Sequence, residues 1–338
     1  MGGKTFKTFT EQAQILRKNG CSGDLSNMAS VLASVNYYRL SAYWYPFRKT
    51  NPDYNPSKPD SRPRLDEFTE GTTFRDVIRF YDFDHALKSH VFKAIERIEV
   101  AFRTKTAYYW CASRKKKYNP QEELDAKFLE DIQYLYERSK DECVRHQKNI
   151  SGILHVKDLP VWVFVELTTF AHLQTIYGTF EDSLRTRIAQ AFGFKTINSF
   201  RSSMALIREA RNVCAHYARF WNKSWTLKAQ TNKSGLSVKT PFLTQNTLSD
   251  ILKHSWNENT SAWETHPVPG NQKLSLSKTA SVLVIIAELD KKITGTSAWA
   301  EELVALIKSQ KPDTGICVEK EMGLVGDWEK HPSFLPDN

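Results

Sequence analysis

Apolar residues recur at helical spacing along most of the chain. The clearest run starts after Gly71-Thr72: Thr73 with Asp76 has the form of a capping box, and Phe74, Val77, Ile78 and Tyr81 open an apolar stripe. The stripe continues through Val91, Ile95, Ile98 and Phe102, and neither Gly nor Pro interrupts it before Pro120. Carried to Trp110, it predicts a helix on the order of 55 Å long. The polar face of that helix carries Asp82, Glu96, Glu99 and Arg103, with Glu99 and Arg103 at the i,i+4 spacing of an ion pair.

Shorter helices are predicted on either side. Residues 10–18 read as one, with Thr10 as N-cap and Gly20 beyond its end. A second starts near Asp24 or Ser26, carries Leu25, Met28, Val31, Leu32 and Val35, and runs into the aromatic–basic stretch 36–48. Residues 49–65, with Pro52, Pro56, Pro59 and Pro63, have loop chemistry. Downstream, helix is predicted from about 121 to 148, over 161–176 as a buried segment ended by Gly178, over 183–191 and over 196–220. Residues 226–246 have the texture of a linker; short helices are expected at 247–256, 277–292 and 298–308, and the tail from Lys311 should be mostly irregular. No alternation at strand period extends for any length, so the predicted class is all-α. Three parts are expected: an N-terminal helical extension over 1–70, a helical bundle over 71–225, and a C-terminal helical appendage over 226–338.

Composition narrows the class. Hydrophobic residues make up 41% of the 338-residue chain and aromatics 12%, enough to bury a core and exclude a disordered chain. Lys and Arg number 47 against 38 Asp and Glu, a net charge of +9. Such a surplus favours polyanions, nucleic acid first and an anionic membrane surface second, although a solvated basic surface is the plain alternative. The five cysteines are scattered, without a C-x-x-C pair, against both a zinc ribbon and a disulfide framework. Cys143 and His146 lie one helical turn apart but offer only two ligands, so no metal or cofactor is expected. Reduced thiols, the absence of a signal peptide before Lys4 and Lys7, and apolar runs (161–165, 282–287) too short for a bilayer lead to the expectation of a cytoplasmic protein.

The segment 207–217 holds the candidate chemistry. In Arg211-Asn212-Val213-Cys214-Ala215-His216, a guanidinium and an imidazole are separated by four residues. RNA strand cleavage by the 2′-hydroxyl needs a base, an acid, and stabilisation of a charged phosphorane. Histidine titrates near neutrality and serves either proton-transfer role; arginine stays charged, and its planar fork matches two phosphate oxygens. This chemistry requires no metal. On one continuous helix, positions five apart are separated by roughly 140°. Arg211 and His216 would then not share a face, whereas Arg208, Asn212 and His216 would. That arrangement predicts a cleft between helices or between two chains. The same residues also fit a histidine satisfied within the fold, a module that holds RNA without cutting it, or a helical interaction protein. Further RNA contacts are expected from Arg208 and Arg219, from Tyr37 and Arg39 of the aromatic–basic block, and from the run Arg114-Lys115-Lys116-Lys117. The aromatic block serves equally well as core packing, and the basic run as a solvated helix end.

Several blocks in fixed order resemble the Abi family typified by AbiD and AbiF, proteins of bacterial abortive infection in the HEPN superfamily. They are the stretch 36–47, Gly71-Thr72-Thr73-Phe74, Tyr81-Asp82-Phe83-Asp84 leading to 94–99, Pro160-Val161-Trp162, then 211–216 with Arg219-Phe220-Trp221-Asn222, and Met322-Gly323-Leu324 with Trp328. The resemblance implies a HEPN-type helical bundle and a metal-independent endoribonuclease. The family motif R-N-x-x-x-H falls on Arg211, Asn212 and His216. It also implies homodimers that bring two motifs together, and two RNA partners: a structured non-coding RNA that restrains the enzyme, and a target RNA. Two positions depart from the pattern: Ala42 stands where many relatives have Gly, and Tyr217 where many have a second His. The second departure leaves one proton carrier per chain.

Overall fold

A helix of 40 residues, α4 (Phe74–Ser113), is the spine of the molecule. At 1.5 Å per residue it is about 60 Å long. In this computed structural model the described residues are 5–58, 60–115, 118–228, 239–241, 254–257, 262–265, 277–310, 315–324 and 327–335. The capping box forms: the Asp76 amide donates to Thr73 Oγ1 (3.2 Å) and the Thr73 amide to Asp76 Oδ2 (3.1 Å). The predicted stripe, including Val77, Val91, Ile95, Ile98 and Phe102, is buried. The described elements are thirteen α-helices, several 3₁₀ turns and three two-stranded ribbons, so the all-α class holds.

Local hydrogen bonds set the helix ends where periodicity misplaces them. The first helix, α1, is Phe9–Lys18 and is capped by Thr8, not Thr10. Thr8 has a glutamate three residues on, and the Thr8 amide donates to Glu11 Oε2 at 2.7 Å; Thr10 has only Ala13 there. Asp24 caps α2 (Leu25–Val35). Asn36, at φ +73°, then breaks the chain from α3 (Tyr37–Trp44), and its Oδ1 accepts from the Tyr38 amide (2.8 Å). The proline-rich interval is not all loop, because its flanks pair as β1 (Arg48–Thr50) and β2 (Arg64–Phe68).

The long helix expected over 121–148 is instead a 3₁₀ turn, α5 (Ala126–Arg138) and α6 (Glu142–Asn149). Asp125 and Asp141 each restart the helix by accepting an amide, at 3.2 and 3.3 Å. The segment expected over 161–176 splits into α7 (Val161–Phe164), a 3₁₀ turn, and α8 (Phe170–Thr179). The break lies at Thr168-Thr169, whose hydroxyls bond Val165 O and the His172 amide in place of helical partners. After α9 (Asp182–Ala191), α10 covers Ile197–Ala215 and stops five residues short of the expected end.

Ribbon β3 (Thr226–Lys228)/β4 (Lys239–Pro241) interrupts the expected linker. The last residues of the helix expected over 247–256 lie instead in β5 (His254–Asn257), paired antiparallel with β6 (Ala262–Thr265) in the register Trp256↔Trp263. Aromatic residues favour strands, and this pairing overrides a weak helical pattern; residues 247–253 lie outside those described. Two C-terminal helices, α11 (Thr279–Thr294) and α12 (Ala298–Lys308), form close to their expected positions and pack on α4. Arg97 of α4 meets Asp290 at 2.6 Å, and His90 stacks on Trp299 with ring centroids 5.0 Å apart. Apolar packing thus runs without a break across positions 70 and 225.

The tail is less irregular than its composition suggests: α13 (Val318–Met322) and two 3₁₀ turns bury Met322, Trp328 and Phe334. His331 lies among them, and burial pulls its imidazole down to about 4. A histidine held neutral in the folded state adds stability above the unfolded value near 6.5, and that stability is lost as pH falls toward 4. Between pH 7 and pH 5 we expect a loss of about 2 kcal/mol from this group. Urea unfolding midpoints at the two pH values, with His331→Phe showing a flatter dependence, would check it.

Candidate functional site

The C-terminal end of α10 carries Arg211, Asn212 and His216. Phe200, Met204, Ile207, Ala210 and Val213 face the core, leaving Arg208, Arg211 and Asn212 half-buried and His216 exposed. His216 is the C-cap, at φ −94° and ψ 10°, rather than a residue inside a longer helix. Arg211 and His216 are therefore about 7.5 Å apart along the axis, with the imidazole on the helix rim.

The helix closes in a Schellman arrangement. The Tyr217 amide donates to Cys214 O (3.1 Å) and the Ala218 amide to Val213 O (3.0 Å). Such a closure needs a left-handed residue, and Tyr217 takes it at φ +55°. For a residue with a Cβ this conformation costs about 1 kcal/mol. Tyr217 is 65% exposed and gains little packing in return. Tyr217→Gly should therefore raise stability by about 1 kcal/mol, measurable by thermal unfolding.

Contacts from distant elements hold the rim. Arg39 Nη1 donates to Tyr217 O (2.5 Å), and Lys88 Nζ to Ala218 O (3.3 Å). Asp84 of α4 is fully buried, and its Oδ1 accepts from the amides of Phe220 (3.0 Å) and Trp221 (2.7 Å). The same carboxylate accepts from the Tyr43 hydroxyl (2.6 Å) and pairs with Lys88 at 3.1 Å. Burial first, and the Asp84 charge second, hold the Tyr43 phenol far above its ordinary range. Arg219 Nη1 donates to Ala42 O (2.5 Å), and Thr279 Oγ1 to Phe220 O (3.0 Å). The backbone at 217, 218, 220 and 221 and the Arg219 side chain are thus tied to α3, α4 or α11.

Arg211 leans against α4. Its Nε is 3.9 Å from Glu99 Oε2, beyond hydrogen-bond range, and that nitrogen is enclosed without a hydrogen-bond partner. The side chain is 39% exposed, so its accessible part is not Nε. Glu99 is itself held by Arg103 (2.7 Å), as the i,i+4 spacing predicts, and Arg103 Nη2 donates onward to Thr168 O (3.0 Å). The break between α7 and α8 therefore has a role: it turns the Thr168 carbonyl toward the Arg103–Glu99 pair.

The other expected RNA contacts fall into two groups. Arg208 stays half-buried and makes no ion pair among the described residues, and Lys115 is exposed. Arg39 and Arg219, by contrast, are engaged with backbone carbonyls at the rim. Burial draws the Arg219 guanidinium below its ordinary value. Arg114 bridges Glu123 (2.9 Å) and Glu181 (3.2 Å). Tyr37 is half-buried, edge-on to Trp44 at 4.8 Å; its neighbour Tyr38, not singled out from sequence, is 86% exposed. Lys116 and Lys117 lie outside the described residues. The Cys214 thiol next to the site is pushed up to about 12, chiefly by burial and then by the Asp84 charge, so it supplies no thiolate near neutrality. Asp84 and Lys88 were not anticipated, although an Asp and a Lys four apart on the apolar face of α4 are a signal for a buried pair.

Among the described residues no three His, Cys, Asp or Glu cluster as a metal centre would require, and no helix is long and apolar enough to cross a membrane. Residues 30–222 match the model of the Abi-like protein family, and the chain belongs to that family. The matched region covers α3, α4, α10 and the pinned rim. Comparisons with curated proteins and with solved structures give no match. Membership points to a role in abortive infection.

Proposed function

We propose that this Abi-like protein is a HEPN-type, metal-independent endoribonuclease acting in abortive phage defence. The observation that carries the reading is an exposed imidazole and a partly exposed guanidinium at one helix end whose backbone is clamped from three directions. In this reaction a ribose 2′-oxygen attacks the adjacent phosphorus and the 5′-oxygen departs, leaving a 2′,3′-cyclic phosphate and a 5′-hydroxyl. His216 moves one of the two protons. Arg211 faces the non-bridging oxygens, where preorganised charge lowers the barrier by about 3–4 kcal/mol. Asn212, on the same helix face as His216, orients the phosphate or the imidazole. With one histidine in the motif of each chain, a homodimer would supply the second proton carrier as His216 of the partner subunit. The basic surplus of +9 fits both a restraining structured RNA and a target RNA.

The test is cleavage of single-stranded RNA by the purified chain in excess EDTA. We expect cyclic-phosphate ends, and no cutting when the 2′-hydroxyl at the scissile position is replaced by hydrogen. Cleavage abolished by EDTA and restored by a divalent ion would overturn the mechanism. Tight RNA binding with no cleavage under any condition would leave a binding module instead.

A further inference from the structure

Next to the α10 rim lies an open groove of about 360 Å³ between α4 and the helix end. This is within the range of about 300–1,000 Å³ typical of small-ligand sites. Phe92 and Lys93 line it from α4, and Cys214, Ala215 and Tyr217 from the end of α10. Two large rings border it in the open: Phe92 is 38% and Tyr217 65% exposed. Neither has an aromatic partner among the described residues. Tyr217 is also the residue that follows His216, and its strained backbone is clamped by Arg39. The backbone that carries the ring is therefore held in place, and the ring is exposed to solvent one residue beyond His216.

The charges indicate which part of a nucleotide fits. His85, Lys88, Lys93 and Glu96 all line the groove; Lys88 is paired with the buried Asp84 at 3.1 Å and Lys93 is offset by Glu96, so the groove itself draws phosphate only weakly. The guanidinium groups of Arg208 and Arg211 lie on α10 instead. A flat, neutral, hydrogen-bonding ring matches the groove, while the phosphate attached to it matches the helix end. We propose that this groove is a base subsite: one unpaired nucleobase of the RNA stacks against Tyr217 and Phe92 while its phosphate lies at Arg211 and His216. The assignment rests on the nuclease reading for the position of the phosphate. It makes single-stranded RNA, with bases free to splay, the substrate class.

The test compares binding of single-stranded oligoadenylate RNA with that of a fully abasic ribose–phosphate oligomer of equal length and charge, using the full chain with His216→Ala so that nothing is cut. Base–aromatic stacking predicts tighter binding of the oligoadenylate. Phe92→Ala and Tyr217→Gly should each weaken that binding by roughly 5- to 150-fold and leave the abasic oligomer unaffected. Tyr217→Gly is informative because the fold should tolerate it or gain from it; its melting temperature reports that directly. Equal wild-type affinity for the two oligomers overturns the base subsite. So does wild-type cleavage with KM unchanged in both variants, while the nuclease reading stands. Base-dependent binding lost in both variants, without any cleavage by the wild-type chain, keeps the groove and removes the nuclease. If Phe92→Ala turns a dimer into a monomer at unchanged RNA affinity, the groove belongs to a second copy of the chain and the proposal fails.

Discussion

Replacing His216 with Ala is expected to lower the rate of RNA cleavage by about 10²–10⁴-fold, the usual contribution of a positioned general acid or base. Growth inhibition by the expressed protein should disappear with it. The fold should not notice: the imidazole is exposed, and the residue's structural contribution is its amide, which donates to Asn212 O at 2.9 Å and survives in alanine. Stability should stay within about 0.5 kcal/mol of wild type, and affinity for a restraining RNA should be kept. Single-turnover cleavage and a thermal melt on the same preparation separate the two effects. A variant that cuts at the wild-type rate removes His216 from the chemistry.

Asp84→Ala is expected to be the most destabilising single change near the site, by about 3–5 kcal/mol. It strands the buried Lys88 ammonium, leaves the amides of Phe220 and Trp221 without an acceptor, and frees the Tyr43 hydroxyl. Because Asp84 holds the chain just past the rim, cleavage should fall as well, although this carboxylate touches no reacting group. The double change Asp84→Leu with Lys88→Met replaces the pair by apolar side chains of similar size. It should recover part of the stability while cleavage stays low, since the anchors of 218–221 are still missing. Urea unfolding of the three variants checks the coupling; an Asp84→Ala protein as stable as wild type would mean that the rim is held by something else.

Much of the architecture could be read from local pattern. The course of α4 follows from an uninterrupted apolar stripe and a capping box, both formed within a few residues of chain. The Glu99–Arg103 pair follows from helical spacing, and the start of α10 from Thr196. The breaks were less legible. Thr168-Thr169, Asn36 and Asp125 stop or restart helices through side-chain hydrogen bonds that compete with weak propensities. At the end of α10 the usual signal is missing, because Tyr217 stands where a Schellman closure favours glycine. Its left-handed backbone is held by Arg39, 178 residues away in sequence.

The sequence alone determines that the chain is helical, where its longest helix runs, and that a guanidinium, an amide side chain and an imidazole follow closely along one later helical segment. These are consequences of periodicity and spacing, which act over a few residues. Tertiary structure decided how tightly each cation is held: Arg211 lies 3.9 Å from Glu99 without a hydrogen bond to it. Arg39, Arg114 and Arg219 look equivalent to Arg208 and Arg211 in the sequence, yet the first three are tied to carbonyls and carboxylates contributed by remote segments. The physical reason is that a charge is engaged by whatever lies within a few ångströms of it in the folded chain, and only the packing of α3, α10 and α11 on α4 sets those neighbours around the rim.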